Sequence, residues 1–132
     1  MTWEECIAEI KRLSDLIDFK PDAIVGIVRG GIVPARLLAS SLNVKDMYCL
    51  SVKKFNESRQ VVTEIIEDVS GKRALLVEDV LETGRSLQIA REYLIQKGVE
   101  VKTACLYTMP MTEVTVDFSL QEVVEVPSFP WE

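Results

Sequence analysis

Four short apolar runs, Ala23–Val28, Met47–Val52, Arg73–Val77 and Val101–Thr108, are separated along the chain by two segments of helical spacing and, between the second and third, a hairpin segment. This alternation constrains the fold more than any other feature. Runs this short, apolar at consecutive positions and rich in β-branched residues, fit strands buried on both faces. Residues 3 to 18 place Trp3, Cys6, Ile7, Ile10, Leu13, Leu16 and Ile17 at helical intervals, and Lys20-Pro21-Asp22 stops that helix. Ile32–Leu42 reads as a helix with Pro34 in its first turn, where a missing N–H is tolerated. Ser86–Lys97 reads as another, with Gly98 at its C-terminal stop. Gln60–Asp68 alternates weakly and is expected to return as a hairpin strand, leaving Lys53–Arg59 as a polar break. Met109 opens a tail containing Pro110, Pro127 and Pro130. Strands alternating with helices predict an α/β domain with a mostly parallel central sheet and helices on both faces. In such sheets ligands sit beyond the carboxyl ends of the strands. The turns at Arg29–Gly31, Lys53–Arg59 and Glu78–Ser86 should therefore share one rim.

Composition narrows the class of partner. A chain of 132 residues, 48% hydrophobic, suits one domain with a real core. Its net charge of −6 argues against nucleic acid, whose phosphates need a basic face. A small polyphosphate needs only local donors. No apolar run approaches the roughly 20 residues of a membrane span, and the charged N-terminus is unlike a signal peptide. Cys6, Cys49 and Cys105 are far apart and odd in number, which predicts buried free thiols in a reducing cytoplasm. The chain has no histidine, so the usual metal ligand and the commonest general base are missing.

The stretch Ala74-Leu-Leu-Val-Glu-Asp-Val-Leu-Glu-Thr-Gly-Arg-Ser-Leu87 carries the chemistry. An apolar strand ends on Glu78 and Asp79, and Glu82 follows. Unpaired buried carboxylates are costly, so these acids should meet water, a cation or hydroxyl donors. The vicinal hydroxyls of a sugar suit them, and so does Mg²⁺, a hard ion that prefers oxygen. Behind them Thr83-Gly84-Arg85-Ser86 leads into a helix, and its amides, hydroxyls and helix N-terminus form an anion site. A ribose 5-phosphate fits both halves. For the acidic pair taken alone, a solvated loop is the better reading. A receiver domain places such a pair near its N-terminus, unlike here, and no nucleotide-binding P-loop occurs.

These residues resemble a family. Leu75–Leu87 is similar to the phosphoribosyl diphosphate (PRPP) motif of type I phosphoribosyltransferases: apolar residues, two acids, two further residues, an acid, then Thr-Gly-x-Thr/Ser. Ile24–Arg36 resembles that family's pyrophosphate loop. Phe129-Pro-Trp-Glu132 resembles the C-terminus of small bacterial and archaeal xanthine, guanine and hypoxanthine members. The resemblance implies one domain over 1–132, with a core of about residues 20–108. The N-terminal helix and a reduced C-terminal tail would form a hood.

It also implies roles. Glu78 and Asp79 would hold the ribose hydroxyls, directly or through Mg²⁺. Glu82 would face the ring nitrogen of the base. Thr83, Gly84, Arg85, Ser86 and Leu87 would wrap the 5-phosphate. Arg29 and Gly30 would bind pyrophosphate, with a cis peptide there. Lys53, Lys54 and Arg59 would belong to a mobile loop over the reaction centre. On the acceptor side, Met109 stands where purine-specific members carry a lysine, and Val126 where they stack the base on an aromatic ring. Asp117-Phe118 resembles the hood's acid-aromatic pair. The expected reaction is phosphoribosyl transfer from PRPP to a nucleobase, a purine, with Mg²⁺ as cofactor, by a cytoplasmic homodimer or higher homo-oligomer in nucleotide salvage. A PRPP- or nucleotide-binding regulatory module without catalysis is the alternative.

Overall fold

The structure, a computed structural model, describes residues 1–132. It opens with helix α1 (Trp3–Leu16), started by a reciprocal cap: the Glu5 amide donates to the Thr2 hydroxyl (3.1 Å) and the Thr2 amide to the Glu5 carboxylate (2.9 Å). Then follow β1 (Ala23–Val28), α2 (Ile32–Ser41), β2 (Asp46–Phe55), β3 (Ser58–Val61), β4 (Arg73–Leu81), α3 (Arg85–Gln96), β5 (Glu100–Thr108) and β6 (Gln121–Glu122).

The six strands form one sheet in the order β3-β2-β1-β4-β5-β6. Every neighbouring pair is parallel except β2 and β3. From β1 the chain crosses by α2 to β2 on one side, and from β4 by α3 to β5 on the other. The winding therefore reverses between β1 and β4, and a crevice opens there at the strands' carboxyl ends.

Strand periodicity explains the core. Successive residues of a strand face opposite sides, so Ile24, Leu75 and Val77 join Cys6, Ile10, Leu13 and Leu38 beneath α1 and α2. Val25, Ile27, Ala74 and Leu76 join Leu87, Ala90 and Leu94 beneath α3. The central strands read as continuous apolar runs because both faces are covered.

Four boundaries differ from the sequence reading. Helix α1 stops at Leu16, and Trp3, Ile7 and Leu16 of its apolar stripe are exposed. Strand β2 continues through Lys53 and Lys54 to Phe55, so the expected polar break is hairpin. Its turn passes through Asn56 at φ +54°, a conformation Asn tolerates well. The return strand is only Ser58–Val61. Strand β4 runs past Val77 to Leu81, so Glu78 and Asp79 lie within the strand. The tail is also paired. Cys105 donates to Phe118 O, Phe118 to Thr103 O, Leu120 to Leu106 O and Val123 to Thr108 O, which carries it along β5 into β6.

Candidate active site

Two glycines set the geometry of the crevice. After β1 the backbone turns through Arg29-Gly30-Gly31, with a cis peptide between Val28 and Arg29. A Cβ on Gly31 would lie 2.4 Å from the Val77 carbonyl oxygen and 2.8 Å from that of Ile27. A Cβ on Gly30 would lie 2.4 Å from Asp79 Oδ2. The turn thus rests directly on β4 and touches the second acid of the pair, an approach no larger residue permits.

Because Glu78 and Asp79 are consecutive strand residues, they diverge. Asp79 meets Gly30 on the α2 side. Glu78 lies opposite Cys105, a residue packed beneath α3. Each carboxylate accepts a local amide: Glu78 Oε1 from Asp79 N–H (3.2 Å) and Asp79 Oδ1 from Val80 N–H (2.7 Å). None of Glu78, Asp79 and Glu82 forms a salt bridge. Burial, and the Asp79 charge next, push the Glu78 carboxyl well above its usual range. Burial likewise lifts the Cys105 thiol to about 12. A half-buried acid pair without a basic partner has spare acceptor capacity for a cation or hydroxyl donors.

Beyond β4, Thr83 leads to Gly84 at φ +83°, a left-handed conformation that suits glycine, and α3 begins at Arg85. The first amides of α3 have no intrahelical acceptor and point at the crevice mouth with the positive end of the helix dipole. A cavity of about 390 Å³ gathers these parts: Arg29, Gly30, Glu78, Asp79, Glu82, all of Thr83–Leu87, and Val126 from the tail. Arg59 completes it from the hairpin.

Five expected residues lie elsewhere. Lys53 and Lys54 are exposed on β2 and outside this cavity, Lys54 pairing directly with Arg59. Met109 is buried at the end of β5, its amide donating to Leu81 O. Asp117 accepts from the amide (2.8 Å) and hydroxyl (3.0 Å) of Thr103. Phe118 stacks on Phe19, ring centroids 6.1 Å apart. Both sit beside the middle of β5 because the tail pairs in parallel with it, which holds them back from the rim. Only Val126 of the expected base contacts lines the cavity. Trp131 packs on Phe129, with centroids 4.6 Å apart.

The sequence reading missed the segment Thr112–Val114. The Glu113 amide donates to Thr83 O (2.8 Å) and the Thr112 hydroxyl lies 3.4 Å from the same oxygen. The Glu113 carboxylate grips the Arg85 guanidinium through Nε (3.0 Å) and Nη2 (2.7 Å). These contacts join residues nearly thirty positions apart, and no local pattern announces them.

The phosphoribosyl transferase domain model matches residues 3–132. The chain belongs to that family. As a phosphoribosyltransferase it aligns along its whole length with xanthine-guanine phosphoribosyltransferase of Chromohalobacter salexigens, at 29% identity over 137 residues and 82% of that relative. The crystal structure of purine phosphoribosyltransferase from Pyrococcus horikoshii superposes with a TM-score of 0.92 at 33% identity, covering 100% of this chain and 91% of that one. The xanthine-guanine-hypoxanthine enzyme of Helicobacter pylori shares the fold, with a TM-score of 0.84 at 20% identity over 99% of this chain and 90% of that one. The mixed α/β sheet and the enzyme class both follow from this membership.

Proposed function

We propose that this phosphoribosyltransferase moves the phosphoribosyl group of PRPP onto a purine base and releases pyrophosphate, in nucleotide salvage. One observation carries the reading: a single crevice gathers the acid pair, the amide-rich start of α3 and the Arg29-Gly30 turn. Those three parts match the hydroxyls, the 5-phosphate and the diphosphate of one molecule.

Glu78 and Asp79 accept the ribose hydroxyls and orient the sugar. Gly84–Leu87 bind the 5-phosphate through amides and the Ser86 hydroxyl. Arg29 stabilises charge building on the departing diphosphate. Glu82, exposed at the mouth, takes the proton of the attacking ring nitrogen or orients it. The donor set fits Mg²⁺ bound with substrate rather than in a cage of its own. The pair supplies two carboxylates, no cluster of three metal-ligating side chains exists, and Mg²⁺ commonly combines one or two carboxylates with substrate phosphates. Held by one carboxylate of the divergent pair together with substrate oxygens, the ion would neutralise diphosphate charge.

A second reading rests on the acceptor side. Val126 is the only tail residue lining the cavity, and it offers no side-chain hydrogen bond to a base. A module that binds PRPP or a nucleotide without transfer fits that feature. Incubation with PRPP, Mg²⁺ and a panel of nucleobases separates the two. Pyrophosphate release with a purine supports the enzyme. Binding of PRPP without release by any base supports the module.

A further inference from the structure

We infer that Glu113 is a positioning residue that holds the Arg85 side chain off the 5-phosphate and so limits affinity for phosphorylated ligands; this rests on the phosphate assignment above. Arg85 is the first residue of α3 and lines the phosphate-binding crevice. It also lines a larger adjoining cavity of about 870 Å³, on whose wall Glu113 stands. Its guanidinium is spent in that second cavity, on the two-point contact with Glu113.

The pairing is a fork-to-fork contact, the strongest geometry for these groups. It lowers the Glu113 pKa and raises that of Arg85, each through the hydrogen bonds between them. Both side chains are about half exposed, so the contact is exchangeable rather than locked. Glu113 is held independently of its carboxylate, because its amide donates to Thr83 O and the neighbouring Val114 side chain packs against Gly84. The anchor therefore survives removal of the charge. A cation already neutralised by a carboxylate adds little to a phosphate site, which leaves the amides and hydroxyls to hold the phosphoryl group. A glycosyl transfer that must shed a nucleoside monophosphate gains from such a restraint, because tighter phosphate binding slows product departure.

The test uses the full chain, with ribose 5-phosphate and Mg²⁺·PRPP as calorimetric probes. Glu113→Gln keeps the shape and the backbone anchor and frees Arg85. It tightens both probes about fivefold, the scale of one partly exposed charge contact. Glu113→Asp, which keeps the charge, moves back toward wild type. In Glu113→Gln/Arg85→Gln the gain disappears, and in the single variant it shrinks as salt rises. In steady state the single variant lowers KM for PRPP together with kcat, a split that mere loss of stability does not give. Unchanged or weaker binding of both probes by Glu113→Gln overturns the inference while the phosphate assignment stands. Failure of wild type to bind either probe overturns both.

Discussion

Gly30→Ala tests the crevice most directly. The added Cβ would stand 2.4, 2.6 and 2.7 Å from Asp79 Oδ2, Cγ and Oδ1, where contacts under 3.0 Å are essentially never seen, so the carboxylate retreats by at least about 0.6 Å. All three crowded atoms belong to one short side chain, and the fold can concede it. The concession stretches, without breaking, the 2.7 Å bond from Val80 N–H and moves the acid off its proposed ribose position. A hydrogen bond to a charged group is worth about 1.5–3 kcal/mol, and 1.4 kcal/mol is tenfold in affinity. PRPP binding therefore weakens by about ten- to a hundredfold, while stability falls by less than about 1 kcal/mol because Gly30 has no left-handed φ to lose. Gly31→Ala is the control. There the crowding atoms are backbone of β1 and β4 (Val77 O, Ile27 O and Ile27 N), which cannot step aside. Overpacking of that kind costs about 1–3 kcal/mol of stability. Urea denaturation and calorimetry with Mg²⁺·PRPP on both variants give the answer. A Gly30→Ala protein that binds PRPP as tightly as wild type, or that loses as much stability as Gly31→Ala, refutes the reasoning.

Three other outcomes follow from the same structure. Glu82→Gln lowers kcat about a hundredfold and leaves PRPP affinity in place, read by steady-state kinetics beside calorimetry; an unchanged kcat removes Glu82 from proton handling. Cys6 and Cys105 are buried as expected but Cys49, on the shallow outer part of β2, is exposed, so brief alkylation of native protein labels one thiol and alkylation in urea labels three, counted by mass spectrometry. The Tyr48 hydroxyl donates to Glu67 (2.8 Å) and that bond, with burial second, raises its pKa from 10.0 to about 12. The folded state therefore holds this proton more tightly than the unfolded chain. Its stabilisation is whole below the unfolded pKa near 10.0 and is lost as pH rises through about 12. Tyr48→Phe flattens that part of the alkaline denaturation profile.

That Glu78 to Leu87 share one crevice was legible because these parts are contiguous. Glu78 to Leu87 occupy one strand end, one turn and one helix start, and each signals itself locally through charge, glycine or hydroxyl. The strand limits were less so. Glu78 and Asp79 disfavour β structure, and pairing of this stretch with Cys105, Tyr107 and Thr108 on β5 decides it. Lys53 and Lys54 look like loop residues, yet register with Gln60 and Arg59 keeps them in a hairpin. Asp117 and Phe118 carry the right residue types for a hood, but their position depends on a parallel pairing with β5 that alternation alone does not reveal. The ionic contact of Arg85 with Glu113 belongs to the same class: tertiary structure sets it.

The two halves of the crevice are tethered very differently. The side we assign to the sugar phosphate is built into ladder hydrogen bonds of the two innermost strands and the helices that follow them, so altering it disturbs the interior. The wall that meets the acceptor comes from a cord draped beside an outer strand, reaching the mouth through one valine. Under the proposed assignment, a change confined to that short peripheral stretch would alter the acceptor wall while leaving the donor's anchorage in place.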